Sequence, residues 1–558
     1  MRDQKCFCAR IGLTAATVAA SMFVFGAEAV RAQTTPLAAA AATSTAGEQP
    51  QVPVRRLSIE EAVALALEQN VNLQVDRIDP QVSDVAVSVA RSGWTPVFFS
   101  NVQTRSQTNP TTDIFGGAAS ITNDNLSSQA GVQQALPWGG ANYTLFWNTG
   151  RLETDNIFST FNPQLSSSIG FNYTQPLLRN FTIDATRQQV LVSRKNREIS
   201  DVQLQQSITA TVRNVKNAYW DLVYAISNLA VQQQSLQLAQ QSYRDNRARV
   251  EIGTMAPLDI VQAEAEVAQR EEAVILAEAA IRRQEDVLRA LISNPVDQPE
   301  FWNMRLEPSE QPTFAPIQVN ADEAVRNALS KRTDLSVARK QLENNDVAIR
   351  YFRNQSMPDV NALVNYSAFG LAGTRLELTP GLNPEVISRS PRSFGGALSD
   401  IFATNYPTWS LQLQVNYPIG GSTAEANLAR ARLQDSQARK QLQANELQVA
   451  TQVRDLARNV TTNGQRVEST RAARALAEKR LEAEQKKFTA GMTSAFFVTQ
   501  AQRDLADARN RELRAIIDYL KSVIDYQTAQ EAPLGGGGGG LQQISTGGLQ
   551  QQQPQQQQ

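Results

Sequence analysis

The chain contains no histidine. The commonest general acid–base side chain and the commonest metal ligand are therefore both missing, and catalysis would have to rely on carboxylates, Lys or Ser. Cysteine is nearly absent. Cys6 and Cys8 are the only two, and both lie before or at the edge of the first apolar run. A chain processed after that run has no disulfide and no thiolate site. An excess of one charge is lacking too: 53 basic residues face 54 acidic ones, which leaves no global basic field for nucleic acid. Only 19 % of the 558 residues are charged, while Gln, Asn, Ser, Thr and Ala abound. That suits a long polar scaffold better than a dense globular core. After the N-terminal run, no stretch approaches the ~20 apolar residues of a spanning helix. A secreted chain of this kind is periplasmic, extracellular or an outer-membrane β-barrel.

Residues 1–32 read as a secretory signal. Arg2, Lys5 and Arg10 form a basic start, Ile11 to Gly26 an apolar core, and Ala27-Glu28-Ala29 or Val30-Arg31-Ala32 a cleavage site. No cysteine follows the run, so no N-terminal lipid is expected. Residues 33–56, rich in Ala, Thr, Pro and Gln, read as a linker. Residues 533–558, Gly- and Gln-rich, read as a disordered tail.

Between these ends the sequence repeats itself. Glu61-Ala62-Val63 matches Glu323-Ala324-Val325, 262 positions later; Leu73 matches Leu335 and Arg77 matches Arg339. Ser58 and Asn320 are good N-caps with acids in the first turn. Pro96 and Pro358 close the opening helices, and Pro176 and Pro418 close the strands that follow. Gly253 and Gly491 then join two long helical segments in each half, each followed by a Gln-Ala pair, Gln262-Ala263 and Gln500-Ala501. The expected organisation is a first repeat at 57–300 (helix, strands 95–176, helical hairpin 185–293) and an inter-repeat linker at 301–318. A second repeat covers 319–532 (helix, strands 358–418, helical hairpin 422–530).

Trp409, Leu411, Leu413, Val415 and Tyr417 alternate with Ser410, Gln412, Gln414 and Asn416. One apolar face and one polar face is the dyad pattern of a transmembrane barrel with a wet lumen. Ile169, Phe171 and Tyr173 repeat it; Val360, Ala362, Val364 and Tyr366 do so less perfectly. Trp94, Trp138, Trp147 and Trp409 are candidates for an interfacial belt. The first half has an extra pair, Ala130 to Leu136 and Tyr143 to Trp147, around Pro137-Trp138-Gly139-Gly140. It is either an extramembrane hairpin or two further barrel strands. Val212, Val215, Tyr219, Leu222, Ile226, Leu229 and Leu236 follow a 3-and-4 spacing, with Gln233 in the remaining slot. That is a coiled-coil seam. Val449, Val453, Leu456, Val460 and Val467 form its counterpart, interrupted by Asn463. A helix from about 185 to 250 runs ~100 Å. Two strands in the second half and two to four in the first fall short of the eight in the smallest outer-membrane barrels. Open edges are not tolerated in lipid, so copies have to share one barrel.

Taken together, the paired openings, Pro176 to Arg179, Trp409 through Pro418 to Gly421, and the Gly-turn Gln-Ala motifs resemble the TolC-type outer-membrane efflux family over about residues 57–530. The resemblance implies an internally duplicated α+β membrane protein. Coiled-coil hairpins form a periplasmic α-barrel, and strands contribute to a shared twelve-stranded β-barrel in a homotrimer. It implies a passive duct without catalytic residues, cofactor or metal, for small-molecule efflux or type I secretion. Its partners are a periplasmic adaptor, an inner-membrane pump or ABC transporter, and outer-membrane lipid.

By the same resemblance, the hairpin tips form the periplasmic gate and dock the adaptor. The residues concerned are Gly253, Pro257, Leu258, Asp259 and Gln262, with Phe488, Gly491, Thr493, Phe496, Phe497 and Gln500. Pro96, Pro176, Pro358 and Pro418 mark the strand–helix junctions. The best-known members carry Asp at the positions of Phe497 and Gln500, Tyr at Phe488 and Arg at Thr493; only Asp259 keeps its acid. A gate of apolar Phe contacts, without a strong cation-binding ring, is expected. The competing readings are a periplasmic adaptor, a coiled-coil envelope protein, and a secreted carbohydrate-active enzyme. Two hairpins with amphipathic strands argue against the first two, and the lack of an acid–base constellation against the third.

Overall fold

The structure, a computed structural model, describes residues 54–111, 119–253, 255–293, 299–381 and 384–535. The expected signal sequence, most of the first linker and the Gly/Gln tail beyond 535 lie outside the described residues. The chain opens with β1 (Val54–Leu57), α1 (Ile59–Gln69), α2 (Val71–Asp76), α3 (Asp79–Arg91) and one 3-10 turn at Ser92–Trp94. Four long strands follow: β2 (Val97–Pro110), β3 (Ser120–Ala135), β4 (Asn142–Thr154) and β5 (Phe161–Pro176). Next come α4 (Ala185–Glu251), α5 (Pro257–Ile292), a 3-10 segment at Pro299–Asn303 and β6 (Arg305–Pro308). The second half holds α6 (Ala321–Lys331), α7 (Thr333–Gln355), β7 (Asp359–Leu378), β8 (Val386–Arg392), α8 (Phe394–Phe402), β9 (Pro407–Asn416), α9 (Thr423–Thr489) and α10 (Ala495–Thr528).

The opening helix of each half is broken rather than continuous. Asn70 leaves the helical region with ψ 117 and Arg332 with ψ 129. The Asn70 side chain then accepts from the Leu73 N–H and starts the next helix. Ser58 and Asn320 cap α1 and α6 as their residue types predict.

Two stretches expected as linkers are structured at one end. β1, at the close of 33–56, pairs in parallel with β6, inside 301–318. Four-residue strands this far apart in sequence leave no periodic signal. Tyr219, fully buried on α4, fixes the pair: its hydroxyl donates to the Glu310 carboxylate and reaches the Leu57 carbonyl. Glu310 also accepts from the Ile59 N–H at the start of α1, 3.1 Å away.

The long helices pack as their seams predict. Val215, Tyr219 and Leu222 are fully buried on α4 and join Ile281, Leu288 and Ile292 of α5 in one core. Val449, Val453, Val460 and Val467 of α9 join Ala515 and Tyr519 of α10 in a second. The interrupting Asn463 donates to the Asp518 carbonyl of α10 at 3.5 Å, so the polar break in the seam is satisfied across the hairpin.

The long strands form one antiparallel sheet in the order β2-β3-β4-β5-β7. The far edge of β7 is shared: β9 takes Asp359–Ala368, nearest the helices, and β8 takes Gly373–Leu378. The second half therefore contributes three strands, not the two expected, because β8 and α8 are inserted before β9. α8 lies over β7 where Gly370 has no Cβ to meet the Ala397 carbonyl. Arg392 clamps it, with 2.8 Å bonds to both oxygens of Asp400.

Candidate pore wall and hairpin tips

Directly paired residues of an antiparallel sheet share a face, so the register sorts the wall residue by residue. One unbroken row runs Phe98, Val132, Leu145, Phe171, Tyr366, Trp409 across six of the sheet's seven strands. The next row runs Ser100, Ala130, Trp147, Ile169, Ala368, Pro407. Neither row contains a charge. The alternate row on the opposite face reads Val97, Gln133, Thr144, Asn172, Asn365, Ser410. Away from α8, which covers it around Gly370 where Ala368 and Ala372 are buried, the apolar face is uncovered within the chain: Phe98 is 69 % exposed, Leu411 70 % and Trp409 75 %. An exposed apolar band backed by a polar face is the signature of a wall between lipid and water. Among the described residues no helix is long and apolar enough to cross a membrane.

The four junction prolines fall where helices and strands meet. Pro96 and Pro358 immediately precede β2 and β7, Pro176 ends β5, and Pro418 lies two residues beyond β9. The two exit junctions differ. After Pro176, Asn180 adopts φ 65 and is held by the end of α7: its N–H donates to Asn354 Oδ1 at 2.6 Å, and Gln355 Nε2 donates to its side chain. Arg187 secures the same turn through the carbonyls of Asn180, Phe181 and Thr182. After Pro418 there is no such packing, and Ile419 is fully exposed. Trp94, expected at the membrane interface, lines a cavity of about 480 Å³ at this level with Arg187, Arg353 and Met357.

At the other end of the long helices, Gly253 and Gly491 have φ +76 and +73. Nothing lies within 4 Å of a Cβ on either, so it is the left-handed backbone of the turn that calls for glycine. Pro257 starts α5 at the position where its missing N–H costs nothing. Leu258, Phe496 and Phe497 are exposed, and the two Phe rings meet edge to face at 5.6 Å. Phe488 is not with them. It packs against Leu481, Val498, Ala501 and Leu505, and the Arg249 guanidinium of α4 lies 4.4 Å from its ring centroid. Gln500 donates to Asp504, and Gln262 is exposed. Asp259 and Thr493 are partly buried. Among the described residues no cluster of acids could hold a metal ion.

The sequence profile of the outer membrane efflux proteins matches residues 62–294 and again residues 324–528, most of the chain. The chain belongs to the outer membrane efflux protein family. No curated protein sequence matches it. Solved outer-membrane channels share its fold. The CmeC channel of Campylobacter jejuni is 15 % identical, with 85 % of each chain covered and a TM-score of 0.57. VceC of Vibrio cholerae is 13 % identical, with 86 % of this chain and 97 % of that one covered and a TM-score of 0.58. The open-state MtrE channel of Neisseria gonorrhoeae is 14 % identical, with 85 % and 89 % covered and a TM-score of 0.55.

In this efflux-family chain one charged cluster ties the two hairpins together, and sequence reasoning missed it. Glu266 of α5 is buried and accepts from Arg503 Nε of α10 and Arg270 Nε, both at 2.7 Å. Burial alone would raise its carboxyl; the bonds from Arg503 and Arg270 overcome that and hold it below the usual Glu range. The i,i+4 spacing of Glu266 and Arg270 was visible, but nothing in the sequence marked Arg503 as the third member.

Proposed function

We propose that this protein is the outer-membrane duct of a tripartite export system. The observation that carries the reading is the six-strand apolar row from Phe98 to Trp409, backed by a polar face. Such a sheet belongs in a bilayer only if its edges are closed. In one copy the outer edges of β2 and β9 have no partner among the described residues. Three copies sharing one barrel close them. The long hairpins then continue the barrel as a periplasmic tunnel.

The two profile matches, the two 67-residue helices and the matched Gly turns support an internal duplication. The tips at Gly253 and Gly491 are the periplasmic entrance and dock an adaptor, which links the duct to an inner-membrane pump or ABC transporter. Cargo passes without covalent chemistry, and the energy is supplied by the inner-membrane partner. Fractionation of cells that express the full chain tests this. A heat-modifiable trimer in the outer membrane is the expected result; a soluble periplasmic monomer contradicts it.

A further inference from the structure

The wall strands number six per copy, not four. We infer that the β2–β3 hairpin is part of the transmembrane wall and that subunits join through β2 and β9, so that three copies close an eighteen-stranded barrel. The inference rests on the shared barrel proposed above, and it departs from the twelve strands that the family resemblance implies.

Three observations carry it. First, the apolar row does not stop at β4. Phe98 and Val132 extend it in direct register with Leu145, and Phe98 and Val102 are more than two-thirds exposed on that face. Second, both first-half hairpins use the same packing device on the polar face. The Phe99 ring covers Gly131 and the Phe146 ring covers Gly170, each leaving no room for a Cβ. The four residues form one cross-strand row, Phe99, Gly131, Phe146, Gly170. An aromatic laid over a cross-strand glycine pins register, and its repetition makes β2–β3 a second panel of the same wall. Third, β3 pairs with β4 from Asn142 to Thr154, the whole length of β4. A twelve-stranded seam at β4 would strip that ladder and leave the backbone groups of β3 unpaired in lipid.

The β5–β7 seam inside the chain gives the register of the seam between copies. There Pro176 lies opposite Asn361. Matching Pro176 to Pro418 and Pro358 to Pro96 carries this register to β9 and to β2 of the next copy. Val415 then faces Val102 on the apolar side, and Gln414 faces Gln103 on the polar side. Each residue falls on the face that its own chain already assigns it. Barrel diameter grows roughly linearly with strand number, so the lumen is roughly half again as wide as that of a twelve-stranded barrel, suited to bulkier cargo.

The chain has no cysteine after Cys8, which makes introduced pairs clean reporters. The test is cross-linking of Gln103→Cys/Gln414→Cys and of Asn148→Cys/Gln414→Cys full-length chains in isolated outer membranes. A short bismaleimide spans opposite or adjacent residues on paired strands. The first pair is expected to give covalent dimers and trimers on denaturing gels and the second none. Linking of the second pair, or of neither, in an otherwise intact trimer overturns the β2–β9 seam and leaves the shared barrel standing. So does a trimer with twelve wall strands by electron cryomicroscopy. Absence of any trimer overturns the shared barrel itself.

Discussion

The Arg249 guanidinium sits 4.4 Å from the ring centroid of Phe488, so the last turn of α4 is held to the last turn of α9. This joins the two hairpin tips of one copy, the proposed entrance. A cation–π contact at such a site contributes about 0.5–1 kcal/mol. Arg249→Ala and Phe488→Leu should each raise the open fraction of the channel by roughly two- to five-fold by that measure. Single-channel recording in planar bilayers reads it. An unchanged open fraction in both variants would remove the contact from the gate.

On the proposed reading the tip is the entrance, and it carries uncharged Phe497 and Gln500. Trivalent cations added from the periplasmic side should therefore block only weakly. Replacing both residues, as Phe497→Asp/Gln500→Asp, should create tight block. Strong block of the unmodified channel would contradict the apolar entrance.

Glu266 joins the hairpins through Arg503, and its carboxyl is held below the ordinary value. A depressed acid means the unfolded chain binds the extra proton, so the contribution is present at neutral pH. It is lost as pH falls below the ordinary Glu value of about 4.3 and through the folded one. Glu266→Gln should destabilise the helical part by about 1–3 kcal/mol at neutral pH and flatten its response to acid. Thermal unfolding followed by circular dichroism, compared between neutral pH and about pH 3, shows whether the variant loses less than the parent.

The two faces of β9 should respond oppositely to charge. Leu411→Arg puts a guanidinium on the apolar face and should cost about 2–4 kcal/mol per copy, depleting the heat-modifiable trimer in the outer membrane. Gln412→Arg, one residue on, faces the polar side. It should leave the trimer intact and shift ion selectivity toward anions. Equal loss of trimer in both would mean that neither face is solvated.

Much of this fold was legible because its periods are long and regular. The α4 seam through Val215, Tyr219 and Leu222 and the alternation from Trp409 to Tyr417 each repeat often enough to exceed local noise. The Gly253 and Gly491 turns were legible because left-handed backbone selects residue type. What failed to show was short or distant. The β1–β6 pair rests on four residues a side, and β8 with α8 is an insertion without a periodic signature. The tips were legible as turns but their contacts were not: Phe488 turns into the hairpin core and meets Arg249 of the other hairpin, a pairing that no sequence spacing marks. The extra strand pair was visible, but its place in the sheet, with Phe98 against Val132 and Val132 against Leu145, is something only pairing reveals.

On the proposed reading, copies of this chain close a water-filled wall across a bilayer. Its most direct test is the conductance of full-length protein, extracted from outer membranes as a heat-stable oligomer and added to a planar bilayer. Discrete, long-lived conducting steps are expected, and they should disappear when the oligomer is dissociated by heating before addition. An intact oligomer that inserts without conducting, or a chain that never associates with the bilayer, would contradict it.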